Sequence, residues 1–292
     1  MAEARPRHVL EALGARMFFR IFGWLPIDAA SALGGWLARA IGPHLGATKR
    51  AELNLQRAMP GLGKAEIGRI VAGMWDNLGR VVAEYPHLHE IEVFKPGGRV
   101  EVVGAEEIIA SRGRGKRYIL FSAHYGNWEV AALAAAQAGL AVAQIYRAPN
   151  NPLIDRLIMA ARGRDGGLFI PKGHSAARRL VEAIANGHAL TMLVDQKMND
   201  GIAVPFFGRD AMTAPALGRL ARRFDCTIVP VRVERRGGAH FRLICEPPLP
   251  VPRSADPHAD VLALMTAVNA TIERWIRADP AQWFWLHRRW PE

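Results

Sequence analysis

The sequence predicts an α/β fold, a mostly parallel central sheet with helices on both faces, preceded by an N-terminal helical layer. Three observations carry this. Residues 1–93 show only helical periodicity. From residue 94 onward, short apolar or alternating runs take turns with helical segments, the order a parallel sheet covered on both faces requires. The run 118–123, Tyr-Ile-Leu-Phe-Ser-Ala, is apolar and bounded by charge, as a buried strand should be. The expected division is a helical region over 1–93 and an α/β core over 94–292, packed as one unit.

The chain opens with basic residues and no evident secretory signal. An apolar surface of Leu10, Leu13, Met17, Phe18, Ile21, Phe22 and Trp24 then lies beside arginines. A spanning helix needs ~20 mostly apolar residues. Here Glu11, Arg16, Arg20, Asp28 and Arg39 interrupt the run, and an arginine at mid-membrane costs about 3 kcal/mol on insertion scales. A clean span is not expected. Two arrangements fit equally: a helix lying in a membrane interface, or an amphipathic helix packed on the domain.

A second apolar helix is expected over 27–40. Thr48 precedes a helix that runs to Met59 and is ended by Pro60 and Gly61. Over 64–84, Ile67, Ile70, Val71, Met74, Trp75, Leu78, Val81 and Val82 follow the i, i+3, i+4, i+7 rule, and Tyr85-Pro86 stops the helix. The stripe reads as core. Residues 99–103 alternate like a strand. After the 118–123 strand come an Ala-rich helix over 126–139, a strand over 141–147, a helix over 152–164 and a short strand over 168–170. A helix over 175–186, a strand over 189–195 and a helix over 214–224 follow. Strands over 227–234 and 240–245 flank a turn at 235–238, and a long helix over 256–277 closes the core. No internal repeat or low-complexity tract is evident.

The balance of 38 Lys and Arg against 27 Asp and Glu gives +11 and a pI near 10.4. Such a surface favours anionic partners: nucleic acid, anionic lipid, a phosphorylated substrate or an acidic carrier. Cys226 and Cys245, the two cysteines, argue against a disulfide scaffold and fit a reducing compartment.

The chemistry concentrates in His124-Tyr-Gly-Asn-Trp-Glu129, where the 118–123 strand gives way to a helix. Ligands of open α/β sheets sit at that edge. On a straight helix, five residues turn through about 500°, so His124 and Glu129 would not share a face. They meet if His124 lies in the turn before the helix and Glu129 reaches back. A carboxylate on one imidazole nitrogen fixes the tautomer and leaves the other nitrogen to take a proton. General-base activation of a hydroxyl is worth about 10²–10⁴ in rate. The alternative is a strand-end histidine satisfied by a loop carbonyl, with Glu129 solvated.

Other polar residues recur just past predicted strands: Arg147, Asn150, Lys172, Asp195 and Gln196. Singly each reads as a cap, a turn or a solvated charge. Together they line one rim of the sheet as a polar, cationic pocket, to which Arg164 and Arg209 add charge suited to phosphate or carboxylate. The tail 283–290, Trp-Phe-Trp-Leu-His-Arg-Arg-Trp, reads as a lid edge, an interfacial belt or a segment docked by its aromatics.

The ordered set of motifs resembles one family. His124-Tyr-Gly-Asn-Trp-Glu129 looks like the signature of the bacterial lipid A biosynthesis lauroyl/myristoyl acyltransferases, a branch of the H-x4-D/E glycerolipid-type acyltransferases. Tyr146-Arg147 with Asn150-Asn151-Pro152, Asp195-Gln196, Phe206-Phe207-Gly208-Arg209 with Thr213, and the stretch Gln282 to Arg289 agree in order. So does the early segment from Lys49-Arg50 through Asn54-Leu55 to Met59-Pro60. The resemblance covers nearly the whole chain. It implies an enzyme that moves a fatty acyl chain from acyl carrier protein, or acyl-CoA, to a hydroxyl of a lipid A precursor. His124 is then the general base, and Glu129 orients it. Tyr125, Gly126, Asn127, Arg147, Asn150, Arg164, Lys172, Asp195, Gln196 and Arg209 are expected to bind substrate. No metal and no cofactor are expected. The resemblance also tips the N-terminal layer to a membrane-associating one, on the cytoplasmic face of the bacterial inner membrane.

Rival readings are weaker. Gly173-His-Ser175 mimics a serine hydrolase elbow, with Asp195 or Asp225 and His240 or His287 as partners, but Ala177 stands where glycine belongs. There is no clustered metal-ligand spacing, Gly113-Arg-Gly-Lys116 is not a P-loop, and no recognised nucleic-acid module accompanies the basic tail. An acyltransferase of another glycolipid or phospholipid, and a non-catalytic basic peripheral membrane protein, complete the alternatives.

Overall fold

The computed structural model describes residues 5–163, 167–173 and 175–291. Four helices lead: α1 (Pro6–Gly23), α2 (Ile27–Ile41), α3 (Ala47–Ala58) and α4 (Lys64–Glu84). Then come β1 (Val100–Val103), α5 (Glu106–Ala110), β2 (Tyr118–Ser122), α6 (Glu129–Gln137), β3 (Val142–Tyr146), α7 (Pro152–Arg162), β4 (Leu168–Pro171), α8 (Ala176–Ala185) and β5 (Ala189–Leu193). The chain continues through β6 (Lys197–Phe206), β7 (Arg209–Thr213), α9 (Ala216–Phe224), β8 (Thr227–Gly237), β9 (His240–Cys245) and α10 (Pro257–Ala278).

Seven strands form one sheet in the order β1-β9-β8-β2-β5-β3-β4. The pairs β8-β2, β2-β5, β5-β3 and β3-β4 are parallel. β9 returns antiparallel to β8, and β1 runs parallel to β9. The sheet is therefore mixed, with the two strands at one end, β1 and β9, reversed on a parallel core. β2 is buried along its whole length, and its side chains alternate: Ile119 and Phe121 enter one core, Tyr118 and Leu120 the other. The period of two along a strand delivers this division, and covering both faces demands the unbroken apolar run.

The N-terminal helices share the sheet's core. The α4 stripe of Ile67, Ile70, Val71, Met74 and Trp75 packs in the same cluster as Ile119, Phe121 and the buried face of α10. α2 crosses α4 so closely that a Cβ on Gly79 would come within 2.2 Å of the Gly34 carbonyl oxygen. Only a glycine fits there. α1 buries little beyond Ala12 and Phe22. Leu10, Leu13, Met17, Ile21 and Trp24 stay exposed on it, as do Trp36 and Ile41 on α2. Among the described residues, no helix is long and apolar enough to cross a membrane.

One local expectation is corrected, and one stretch left without an element in the sequence gains one. α6 begins at Glu129 rather than 126, because Gly126 adopts φ +55° and Asn127 caps the first turn through its Oδ1, which accepts from the Glu129 amide. The stretch after Asp195 folds as the antiparallel hairpin β6-β7. Sequence pattern does not reveal it, because an irregularity between Lys197 and Ile202 breaks the alternation.

Candidate active site

β2 and β5 lie side by side, and their register decides the centre of the site. Ser122 pairs with Leu193. Two residues further along each strand stand His124 and Asp195, at the carboxyl edge of the sheet. The Asp195 carboxylate receives both the backbone N–H of His124, at 2.9 Å on Oδ2, and the ring Nδ1, at 2.8 Å on Oδ1. A third donor, the indole Nε1–H of Trp283, reaches Oδ2 at 2.8 Å. Asp195 is fully buried. Burial by itself pushes its carboxyl up, but the charge of His124 and these hydrogen bonds outweigh burial and hold it well below the usual carboxylate range.

The opposite nitrogen of the imidazole, Nε2, faces the side-chain amide of Gln196 at 3.3 Å. The ring is boxed by Trp128 at 5.1 Å, His287 at 4.9 Å and Phe284 at 6.2 Å between centroids. Burial, then the neighbouring His124, lower the pKa of His287 to about 3, so this second imidazole is neutral at physiological pH. Its Nε2 is buried without a protein partner. His124, Asp195 and His287 each offer a ligand atom within 4.8 Å of the others, but the His124–Asp195 bond competes with any use as an ion site.

Glu129 does not take the place expected of it. It is buried at the start of α6, and its carboxylate is held by Arg162, with Nε at 2.7 Å from Oε2, and by the Tyr85 hydroxyl. Burial raises its pKa, but the Arg162 guanidinium overrides this and lowers it. The correction has a simple cause. The turn at Gly126 and Asn127 directs the first residue of α6 toward α7, while the strand register brings a different acid to His124.

Tyr125, Gly126 and Asn127 serve the turn rather than the mouth. Tyr125 is buried and bridges to Trp283. The Gly126 N–H donates to the Gln282 carbonyl, and its own carbonyl accepts from Asn77. A Cβ at Gly126 would sit 1.8 Å from the Val233 carbonyl oxygen. Asn127 donates to Glu84, a buried acid that also binds Arg235. The α4 layer thus clamps the turn that carries His124.

Arg147 and Lys172 follow β3 and β4, where Tyr146 pairs with Pro171, and so emerge side by side on the same rim. Partial burial and then Arg147 lower the Lys172 pKa, with Asp195 opposing. Asn150 is exposed. Its neighbour Asn151 caps α7 and ties α1 down through the His8 carbonyl and Glu11. Arg209 stacks over Trp290 at 5.6 Å rather than reaching the imidazole. Arg164 lies outside the described residues. The exposed Ser175, the rival nucleophile, immediately precedes α8 and makes no side-chain cap bond.

The tail is an inner wall. Trp283, Trp285, Arg289 and Trp290 are buried. Phe284 donates its N–H to the His124 carbonyl, and the Nδ2 amide of Asn54 on α3 donates to the Trp285 and His287 carbonyls. Sequence reasoning overlooked Arg162, Tyr85, Asn77 and Glu84, and it marked Trp283 only as part of the aromatic tail, without its bond to Asp195. Beside Glu129 and Arg162, a cavity of about 650 Å³ opens between α6, α7 and the sheet, lined by Ala132, Ala136, Leu157 and Phe19 among others.

The chain is 26% identical over 246 residues to a lipid A biosynthesis lauroyltransferase of Escherichia coli (strain K12), covering 81% of this chain and 76% of that one. It is 25% identical over 241 residues to a lipid A biosynthesis myristoyltransferase of the same organism, covering 82% and 73%. A crystal structure of the 1-acyl-sn-glycerophosphate acyltransferase from Thermotoga maritima superposes with a TM-score of 0.39 at 18% identity, over 84% of this chain and 99% of that one. The family model for bacterial lipid A biosynthesis acyltransferases matches residues 4–292, and the chain belongs to that family of acyltransferases.

Proposed function

We propose that this acyltransferase moves a fatty acyl chain from acyl carrier protein to a hydroxyl of a lipid A precursor, with His124 as the general base. The observation that carries the reading is the His124–Asp195 pair: Nδ1 is bound to a buried carboxylate, and Nε2 faces the Gln196 amide. An acceptor hydroxyl that displaces the amide hands its proton to Nε2 while its oxygen attacks the thioester carbon. Asp195 stabilises the imidazolium that forms. Collapse of the tetrahedral adduct breaks the C–S bond, and the imidazolium returns the proton to the departing thiolate. The acceptor attacks directly, so no enzyme nucleophile is required.

Arg147 and Lys172 supply positive charge on the rim for the anionic groups of a phosphorylated glycolipid. The cavity between α6 and α7 offers a hydrocarbon chain an apolar wall of Leu133, Ala136, Leu157 and Phe169, with Glu129 and Arg162 on its polar side. Glu129 acts by fixing Arg162. The net charge of +11 suits an anionic donor, an acidic carrier or the phosphates of acyl-CoA alike. The exposed apolar face of α1, beside Arg16 and Arg20, lies in the cytoplasmic leaflet of the inner membrane. The test is turnover of acyl carrier protein thioester and detergent-solubilised lipid A precursor by purified protein, with the product weighed by mass spectrometry. Binding of both without a product of added acyl mass, or an active His124→Ala, refutes it.

A further inference from the structure

Trp283 stands out within the C-terminal tail, which the sequence marks only as a cluster of aromatics. Asp195 carries three hydrogen bonds, and two of them come from His124 itself. A carboxylate held only by the residue it serves has no outside reference for its rotation. The third donor supplies one, because Trp283 belongs to the C-terminal wall and is itself immobilised. It is fully buried, stacked edge-to-face on Trp285 at 4.7 Å and on Phe206 at 5.9 Å. Its two chain neighbours are locked to the same turn: the Gln282 carbonyl accepts from Gly126, and the Phe284 amide donates to the His124 carbonyl.

We propose that Trp283 is a positioning residue for proton transfer, its indole N–H fixing the Asp195 carboxylate so that Oδ1 stays on His124 Nδ1 and Nε2 stays aimed at the acceptor. A general base works only when held in hydrogen-bond reach of its proton, and small misplacements cost rate rather than binding. A residue that merely fills space here would not share its energy with Asp195. The inference rests on His124 acting as the base in the acyl transfer proposed above.

The experiment is a double-mutant cycle, with kcat, KM and Tm measured for the wild type, Trp283→Phe, Asp195→Asn and the pair, using acyl carrier protein thioester and lipid A precursor. Trp283→Phe is expected to lower kcat by about tenfold or more with KM nearly constant, and to cost about threefold or less once Asp195 is already Asn. Trp283→His recovers part of the loss, since its Nε2–H takes the ring position of the indole N–H. Equal losses in both backgrounds, or unchanged kcat in Trp283→Phe, overturn the proposal. Proton NMR of the His124 Nδ1–H needs no substrate and separates the two readings. That resonance broadens in Trp283→Phe and persists in Trp283→His if Trp283 fixes the carboxylate, whereas an unchanged signal in Trp283→Phe refutes the role even where turnover is absent. An inactive wild type with the expected NMR change instead refutes only the acyl-transfer reading. Should Trp283→Phe not fold, Trp283→His alone decides through its kcat with and without Asp195→Asn.

Discussion

His287 makes stability depend on pH in a way that can be worked out. Burial beside His124 lowers its pKa to about 3 in the folded protein, against an unfolded value of about 6.5. Below pH 6.5 the unfolded chain takes up a proton that the folded chain refuses. The contribution of neutral His287 is therefore fully present above pH 6.5 and is lost as pH falls toward 3. At about 1.4 kcal/mol per unit, acidification from pH 7.5 to 5 costs about 2 kcal/mol through this one group. Urea unfolding of the wild type and His287→Phe at both pH values isolates it, because the variant keeps a ring in the slot but cannot titrate. The variant should lose about 2 kcal/mol less than the wild type over that interval. Parallel losses in the two proteins would show that the folded site accepts a proton on His287 as readily as the open chain does.

Four further outcomes follow from the same geometry. Asp195→Asn should lower kcat by about 10³–10⁴ while the fold survives, as a wrong imidazole tautomer does elsewhere; circular dichroism and turnover measured together check this. Glu129→Gln should behave differently, lowering Tm and activity together, since it leaves the half-buried Arg162 guanidinium without its carboxylate at a cost of about 3 kcal/mol; an unfolding midpoint equal to the wild type's would disprove the structural role. Gly126→Ala places a Cβ 1.8 Å from the Val233 carbonyl oxygen at φ +55° and should destabilise by about 2 kcal/mol or more in denaturant titration. Leu13→Glu with Met17→Glu, both on the exposed face of α1, should abolish sedimentation with anionic vesicles without moving Tm; retained co-sedimentation would remove α1 as the anchor.

The sequence alone determined the alternation of strands and helices, the buried β2, the long α4 stripe and the location of His124 at a strand end. Each is a local signal, written in apolar periodicity or in the residues around one turn. It also supplied both acids, but the H-x4-E spacing pointed to Glu129 as the partner of the imidazole, and Asp195 read only as a pocket residue past a strand. The tertiary structure reversed that choice, because β5 inserts between β2 and β3 and aligns Leu193 with Ser122, so Asp195 reaches the imidazole from the neighbouring strand. Glu129 was turned away by the left-handed backbone at Gly126. The tail, legible only as a cluster of aromatics, became the wall behind the His124–Asp195 pair because its backbone is hydrogen-bonded to the same turn. Periodicity records which faces are buried; which residues meet across an edge is set by strand order and register, and no stretch of chain carries that information by itself.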